Sequence, residues 1–255
     1  MTFVIVVGEL MTKFDVENQK LVIATGNLAG VELPRLLMEE GRAIVDILKV
    51  YATGEKTVAE SPEAAEFRRR GADVIDLGGL PDTPFPHLED SVRALKGAGL
   101  KVSVDSFSSE ELVRGAGAGA DFLLSLNEET LDLAFETDAV PILVPMRPDD
   151  LPSLDRAIER MLKAGRPFMA DPILEPIGFG FANSLGRYLD VRRRYPDAEL
   201  FMGIGNLTEL TDADSAAINV VLLGFCQEVG SRGVLTTQVS NWARTSVKEG
   251  DRARR

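Results

Sequence analysis

From Gly71 onward the chain repeats one unit: a short run rich in Val, Ile and Leu, a turn, then an amphipathic stretch with helical spacing. The strand-like runs are Asp73 to Leu77, Lys101 to Val104, Phe122 to Leu126, Val140 to Val144, Pro167 to Ala170, Glu199 to Ile204 and Gly233 to Gln238. Helical patterns follow them at Pro86 to Lys96, Ser109 to Gly115, Glu128 to Phe135, Leu154 to Lys163, Ser184 to Tyr195, Asp212 to Val229 and Ser240 to Arg252. Strands that are apolar on both sides and alternate with amphipathic helices are parallel strands covered on both faces. Seven such strands need one more to close a (β/α)8 barrel, and the fold class expected is α/β, a TIM barrel with an N-terminal hairpin and helix extension. A doubly wound sheet competes, but its GxGxxG turn is absent, and ATGNLAG (24–30) is a weak echo of it.

The first seventy residues say less. Phe3 to Leu10 and Lys20 to Asn27 read as β-rich runs able to form a hairpin, and Val31 to Glu40 reads as a helix. Ile44 to Tyr51 is taken as the first barrel strand, because it leaves an ordinary βα spacing to Asp73. Residues 1–43 then form the extension and 44–255 the barrel. Ser61-Pro62-Glu63 starts a helix that Gly71 ends.

A formal charge of -12 argues against a nucleic-acid surface, because affinity there rests on neutralised phosphates. The single Cys226 fits a reducing compartment. Neither a signal peptide nor a membrane-spanning run is visible, so a cytoplasmic protein without membrane association is expected.

Polar residues stop the apolar strands at their C-terminal ends: Asp76, Asp105, Asn127, Arg147 after Pro145, Asp171, Asn206 and Gln238. In a parallel barrel these ends share one mouth. Acids and amides gathered there suit a flat nitrogen heterocycle with a donor-rich edge. Each also has a local alternative. Asp105 before Ser-Phe-Ser-Ser can cap a helix, Asn127 before Glu128-Glu129 can do the same, Asn206 can cap the following turn, and Asp76 can bond across the barrel. Pro172 keeps Asp171 extended and out of a helix.

GADVIDLGG (71–79), VSVDSF (102–107), the strand ending at Asn127, DPILEPIGFGF (171–181) and GIGNLTE (203–209) resemble, in that order, the strand-end motifs of the pterin-binding barrel superfamily. Within it, the chain is most similar to proteins related to dihydropteroate synthase of the tetrahydromethanopterin type. The resemblance implies a pterin held by Asp76, Asp105, Asn127, Asp171, Asn206 and Gly178, with Asp105 and Asp171 in the catalytic roles. It implies a transferase joining a hydroxymethyl-dihydropterin diphosphate to an aryl amine, ribofuranosyl-aminobenzene phosphate being one candidate, with Mg2+ accompanying the diphosphate. Arg147, Arg244 and Lys248 are the candidate diphosphate or amine contacts; on a terminal helix the last two also read as a solvated face. The chain departs from the family pattern: GGLPDTP stands for GGESTRP, Phe181 for a Lys, Gly205-Asn206-Leu207 for Ser-Arg-Lys, and Thr236-Thr237-Gln238 for Arg-x-His. A methyltransferase-type pterin barrel, a non-catalytic pterin-binding subunit and an unrelated phosphate-binding barrel are the alternatives.

His87 reads as a surface or capping residue, Cys226 as core, and Trp242 as core or an aromatic wall. Ala216 to Val229 is apolar around more than one face, which together with the resemblance suggests a homodimer.

Overall fold

A computed structural model describes residues 3–8, 12–15, 20–23, 62–78, 84–211, 215–238 and 241–253. Seven parallel strands form a curled sheet in chain order: β4 (Val74–Gly78), β5 (Lys101–Asp105), β6 (Phe122–Leu126), β7 (Val140–Leu143), β8 (Met169–Ala170), β9 (Glu199–Gly203) and β10 (Ser231–Thr236). The strand β1 (Phe3–Gly8) lies parallel between the two edges, pairing Val7 with Asp76 on one side and Ile5 with Leu235 on the other, and so closes the barrel.

This corrects the choice of Ile44 to Tyr51 as first barrel strand, and with it the boundary at residue 43. FVIVVG is an unbroken apolar run suited to a strand buried on both faces, whereas IVDILKVY carries Asp46 and Lys49. The spacing argument misled because lengthening a connection adds little closure entropy. Ile44 to Tyr51 and the helix expected at Val31 to Glu40 lie outside the described residues. A hairpin is present, but its arms are β2 (Thr12–Asp15) and β3 (Lys20–Ile23), antiparallel, with Phe14 opposite Leu21.

Around the barrel run α1 (Pro62–Arg70), α2 (Leu88–Gly97), α3 (Ser109–Gly117), α4 (Leu151–Ala164), α5 (Phe181–Arg194), the single turn α6 (Gly205–Thr208), α7 (Ser215–Val229) and α8 (Ser246–Ala253). The helix α4 shows the local logic. The Asp150 side chain caps it through Ser153 N, Pro152 sits in the first turn, and Gly165 closes it at φ 64°. Leu154, Ala157, Ile158 and Met161 then form its buried stripe. Between β6 and β7 the helix expected at Glu128 to Phe135 is only a 3-10 turn, Leu131–Phe135. There Asn127 takes the backbone into a tight turn and Arg166 Nη2 holds the exit, bonding Ala134 O at 2.8 Å. The last expected helix is likewise divided, into a 3-10 turn at Asn241–Ala243 and α8.

Two apolar clusters result from strand alternation. Val74, Leu124, Ile142, Met169 and Phe201, with Phe122, Val140 and Leu235 against them, fill the barrel interior. Their intervening neighbours, such as Ile75, Leu123, Leu143, Ala170, Leu200 and Val234, pack with the helices in the larger outer cluster. Burying each large side chain contributes roughly 1.5–3 kcal/mol. Gly233 makes the interior possible: a Cβ there would lie 2.5 Å from Phe201 Cδ2.

Candidate functional site

Above that apolar filling the interior turns polar. Asp76 on β4 is fully buried, and its Oδ1 accepts a hydrogen bond from the Ser103 hydroxyl on β5. Its Oδ2 has no hydrogen-bond partner among the described residues. Asp105, the last residue of β5, shares the facing direction of Ser103 two residues before it and accepts from Ser125 Oγ at 2.8 Å. Ser125 reaches it through a bulge: its φ is 63° and the β6–β7 register shifts between Leu123 and Leu126.

Burial drives the Asp76 carboxyl well above the usual carboxylate range, the negative Asp105 adds to this, and the Ser103 hydroxyl offsets part of it. Asp105 is raised by burial too, against the opposing bond from Ser125. A carboxyl removed from water with no cation beside it is cheaper protonated than charged. None of the ion pairs among the described residues involves Asp76, Asp105 or Asp171.

Asp171 follows β8 directly. Its backbone N–H donates to Leu143 O at 2.8 Å, which holds it in the line of the ladder. Oδ1 accepts from Ile173 N at 2.8 Å and from the Tyr188 hydroxyl, and Oδ2 accepts from Gly203 N at 3.2 Å. Burial pushes this carboxyl up to about 6, and the hydrogen bonds and nearby Arg187 keep it from rising further. A carboxylate offers about four lone-pair positions, so one remains, on Oδ2.

The loop after Asp171 is shaped by Arg187 of α5. Its Nε donates to Pro172 O at 3.1 Å, Nη2 to Ile173 O at 2.7 Å, and Nη1 to Glu175 Oε2 at 2.8 Å. Ile173 is held at φ 65°, outside the range a β-branched residue prefers. Gly180, at φ 122°, lies under the Glu175 carboxylate, which a Cβ would meet at 2.5 Å. Gly178, at φ 82°, is exposed on the same loop beside Phe179. Asn206 is tied here too: its Nδ2 donates to Leu174 O at 3.1 Å, above Gly203.

Asp105, Asp171 and Asn206 thus lie at or just past C-terminal strand ends of one barrel, and Asp76 lies one layer deeper, in the middle of β4. Asn127 behaves differently. Its Oδ1 accepts from Glu129 N at 2.9 Å and Thr130 N at 3.3 Å, so the turn consumes its carbonyl. Among the described residues none of the three basic candidates forms an ion pair with Asp76, Asp105 or Asp171. Arg147 is solvent-exposed and pairs with Asp149 at 3.3 Å. Lys248 lines a groove of about 490 Å³ between α1 and α8 together with Arg69, Arg70 and Arg252. Arg244 is exposed, and its carbonyl accepts from Arg70 Nη1 at 2.6 Å.

His87 stands at the start of α2 without a side-chain cap bond, Cys226 is buried, and Trp242 Nε1 donates to Thr208 O at 2.8 Å. Ser103, Ser125, Tyr188 and Arg187 were not singled out from the sequence. Ser103 was findable, since it sits two residues from Asp105 on the same strand. Tyr188 was findable as well: Ser184, Tyr188 and Val191 form the buried stripe of α5, and a buried phenol needs a partner.

The fold has counterparts of known structure. Dihydropteroate synthase of Yersinia pestis, solved with a pterine-sulfa conjugate, is 22% identical, with a TM-score of 0.55 over 75% of this chain and 83% of that one. The Thermus thermophilus enzyme in complex with 4-aminobenzoate is also 22% identical, with a TM-score of 0.54 over 75% of this chain and 85% of its own. The chain has the dihydropteroate synthase fold.

No family model matches it. An uncharacterized protein of Methanocaldococcus jannaschii is 31% identical over 203 residues, which are 72% of this chain but only 38% of the relative's length. In a (β/α)8 barrel the C-terminal strand ends share one mouth. Asp105, Asp171 and Asn206 stand there, with Asp76 one layer deeper on β4.

Proposed function

We propose that the chain binds a reduced pterin at the barrel mouth and acts as a transferase of dihydropteroate synthase type, condensing a hydroxymethyl-dihydropterin diphosphate with an aryl amine. The observation that carries this reading is the acid-lined upper interior on this fold: two carboxyls on adjacent strands and a third, Asp171, with one acceptor position left. The 2-amino-pyrimidine edge of a pterin presents N–H donors, and Asp171 Oδ2 supplies an acceptor for one of them. Asp105 lies across the barrel as a second polar contact, and Asn206 lines the same side as Asp171.

The chemistry asks for orientation more than for nucleophile activation. Departure of diphosphate leaves positive charge on the pterin methylene, which the nearby Asp171 carboxylate tolerates, and the amine nitrogen then attacks. Phe107, Ile177 and Phe179 are exposed on loops that follow β5 and β8, and they offer apolar contact to an aryl ring. Magnesium enters as the companion of the substrate diphosphate. Among the described residues no group of three or more His, Cys, Asp and Glu converges on a metal position, and no step is drawn through the ion. The amine is 4-aminobenzoate or, on the sequence resemblance, ribofuranosyl-aminobenzene phosphate.

The absence of the family pattern's Lys and Arg at Phe181, Gly205-Asn206-Leu207 and Thr236-Thr237-Gln238 favours a second reading, a pterin-binding subunit without synthase activity. Calorimetric titration of 6-hydroxymethyl-dihydropterin, followed by incubation of its diphosphate with each amine and magnesium, tests both. Saturable binding lost in Asp171→Asn, with product, supports the synthase. Binding without product supports the subunit, and no binding by the wild-type protein ends both readings. Either form is proposed to be a homodimer joined through α7, whose outer face carries Ala217, Val220, Val221 and Gly224 exposed. No described helix is long and apolar enough to cross a membrane.

A further inference from the structure

We propose that Tyr188 is the positioning residue of the mouth: reaching from the helix layer, its hydroxyl fixes Asp171 Oδ1, keeps that carboxyl ionised near neutral pH, and leaves the open acceptor position on Oδ2. Tyr188 is fully buried on α5, and its ring meets Phe225 of α7 edge-on, 6.3 Å between centroids at 86°. With its ring wedged between two helices, the phenol has little freedom to aim elsewhere. The hydroxyl spends its proton on Asp171. Burial and the neighbouring carboxylate both hold the phenol well above its usual range, so it stays a donor.

The other donors to Asp171 are backbone groups, Ile173 N on Oδ1 and Gly203 N on Oδ2, and these survive any side-chain change. Among the described residues, Tyr188 is the side chain that bonds the carboxylate. Of the charged or titratable groups facing it, Arg187 on α5 is a cation engaged with Glu175, and Cys226 on α7 is a thiol that burial pushes up to about 12 and so stays neutral. A purely structural Tyr188 would fill space and satisfy its own hydroxyl; a positioning Tyr188 also sets the proton affinity of Asp171. The assignment to a ligand site rests on the pterin reading, but the effect on Asp171 does not.

The test follows the Asp171 carboxyl carbon by 13C NMR across pH 4.5 to 8.5 in the ligand-free protein, assigned by the resonance missing in Asp171→Asn. In Tyr188→Phe the midpoint is expected to rise by about one pH unit or more, the effect of losing one charge-assisted bond. A fluorotyrosine placed at position 188 retains shape and bond but donates more strongly, and is expected to lower the midpoint. This second variant decides the matter if the first fails to fold. Midpoints unmoved in both variants overturn the proposal. Where wild-type protein binds a reduced pterin, Tyr188→Phe is expected to bind it about two-fold more weakly at pH 7 for a one-unit rise of the midpoint, the loss growing toward ten-fold below pH 6, and to recover as pH rises. Shifted midpoints without any pterin binding uphold the role of Tyr188 and overturn only the identity of the ligand.

Discussion

Ser103 and Asp76 face one another across the β4–β5 ladder, and the Ser103 hydroxyl satisfies one oxygen of a fully buried carboxyl whose other oxygen finds no partner among the described residues. Burial and Asp105 both oppose charge on this carboxyl, the Ser103 hydroxyl offsets part of that, and the balance favours the protonated form to well above the usual carboxylate range.

Asp76→Asn is therefore expected to stabilise the protein at neutral pH. An unfolded chain releases this proton near pH 3.9 and the folded carboxyl holds it to higher pH, so folding above that value takes up proton, at about 1.4 kcal/mol per pH unit until the folded midpoint is reached. The contribution is favourable at pH 4 and is lost as pH rises. The amide keeps the oxygen that accepts from Ser103 and needs no proton. Urea denaturation at pH 4.5 and 7.5 should show the variant gaining at the higher pH and its pH slope flattening; an equal loss at both would contradict it.

Asp171 should make pterin binding fade on the acid side. Its carboxyl titrates at about 6 in the fold, and only the ionised form keeps both oxygens as acceptors. Calorimetry is expected to show affinity level above pH 7 and falling about ten-fold per unit well below pH 6. Because the folded value lies above the unfolded one, the same group also lowers stability between about pH 4 and pH 6 as pH rises.

Arg187→Ala should release the segment from Pro172 to Glu175. The guanidinium side chain is 11% exposed and makes three bonds there, so its loss leaves two carbonyls and a half-buried carboxylate short of a donor. A loss of about 2–4 kcal/mol is expected in denaturant unfolding, with faster amide exchange at Ile173.

Gly233→Ala should overpack the barrel. The new methyl would meet Phe201 Cδ2 at 2.5 Å and Met169 Cε at 3.0 Å. About 1–3 kcal/mol of destabilisation is expected by thermal unfolding, and Phe201→Leu in the same chain should recover part of it.

Val221→Glu should act on assembly and not on the fold. Val221 is 69% exposed and Val220 58%, on the outer stripe of α7. Light scattering after size exclusion is expected to move from dimer to monomer mass with the circular dichroism unchanged; a monomeric wild-type protein would remove the homodimer.

The barrel was legible from Asp73 onward because most strands there are short, largely apolar and followed by a helix with one apolar stripe. The first strand was not, because two runs qualified and the choice rested on spacing, a weak constraint on a long connection. Asp76, Asp105 and Asp171 were legible as strand-end acids. Their partners were less so, since Tyr188 lies 17 residues from Asp171 and meets it only once α5 folds back over β8. At Asn127 the local reading of a strand-end amide holds as well, because its Oδ1 accepts from the turn that follows.

The kink at Ser125 reaches further than its one residue. Along β6, Phe122 and Leu124 look inward and Leu123 outward; the left-handed step lets Ser125 look inward as well and returns Leu126 to the outer layer. In an unbroken strand Leu126 would have stood over Leu124, and grease instead of a hydroxyl would have met Asp105. Wettability at the barrel's open end thus hangs on a single backbone torsion.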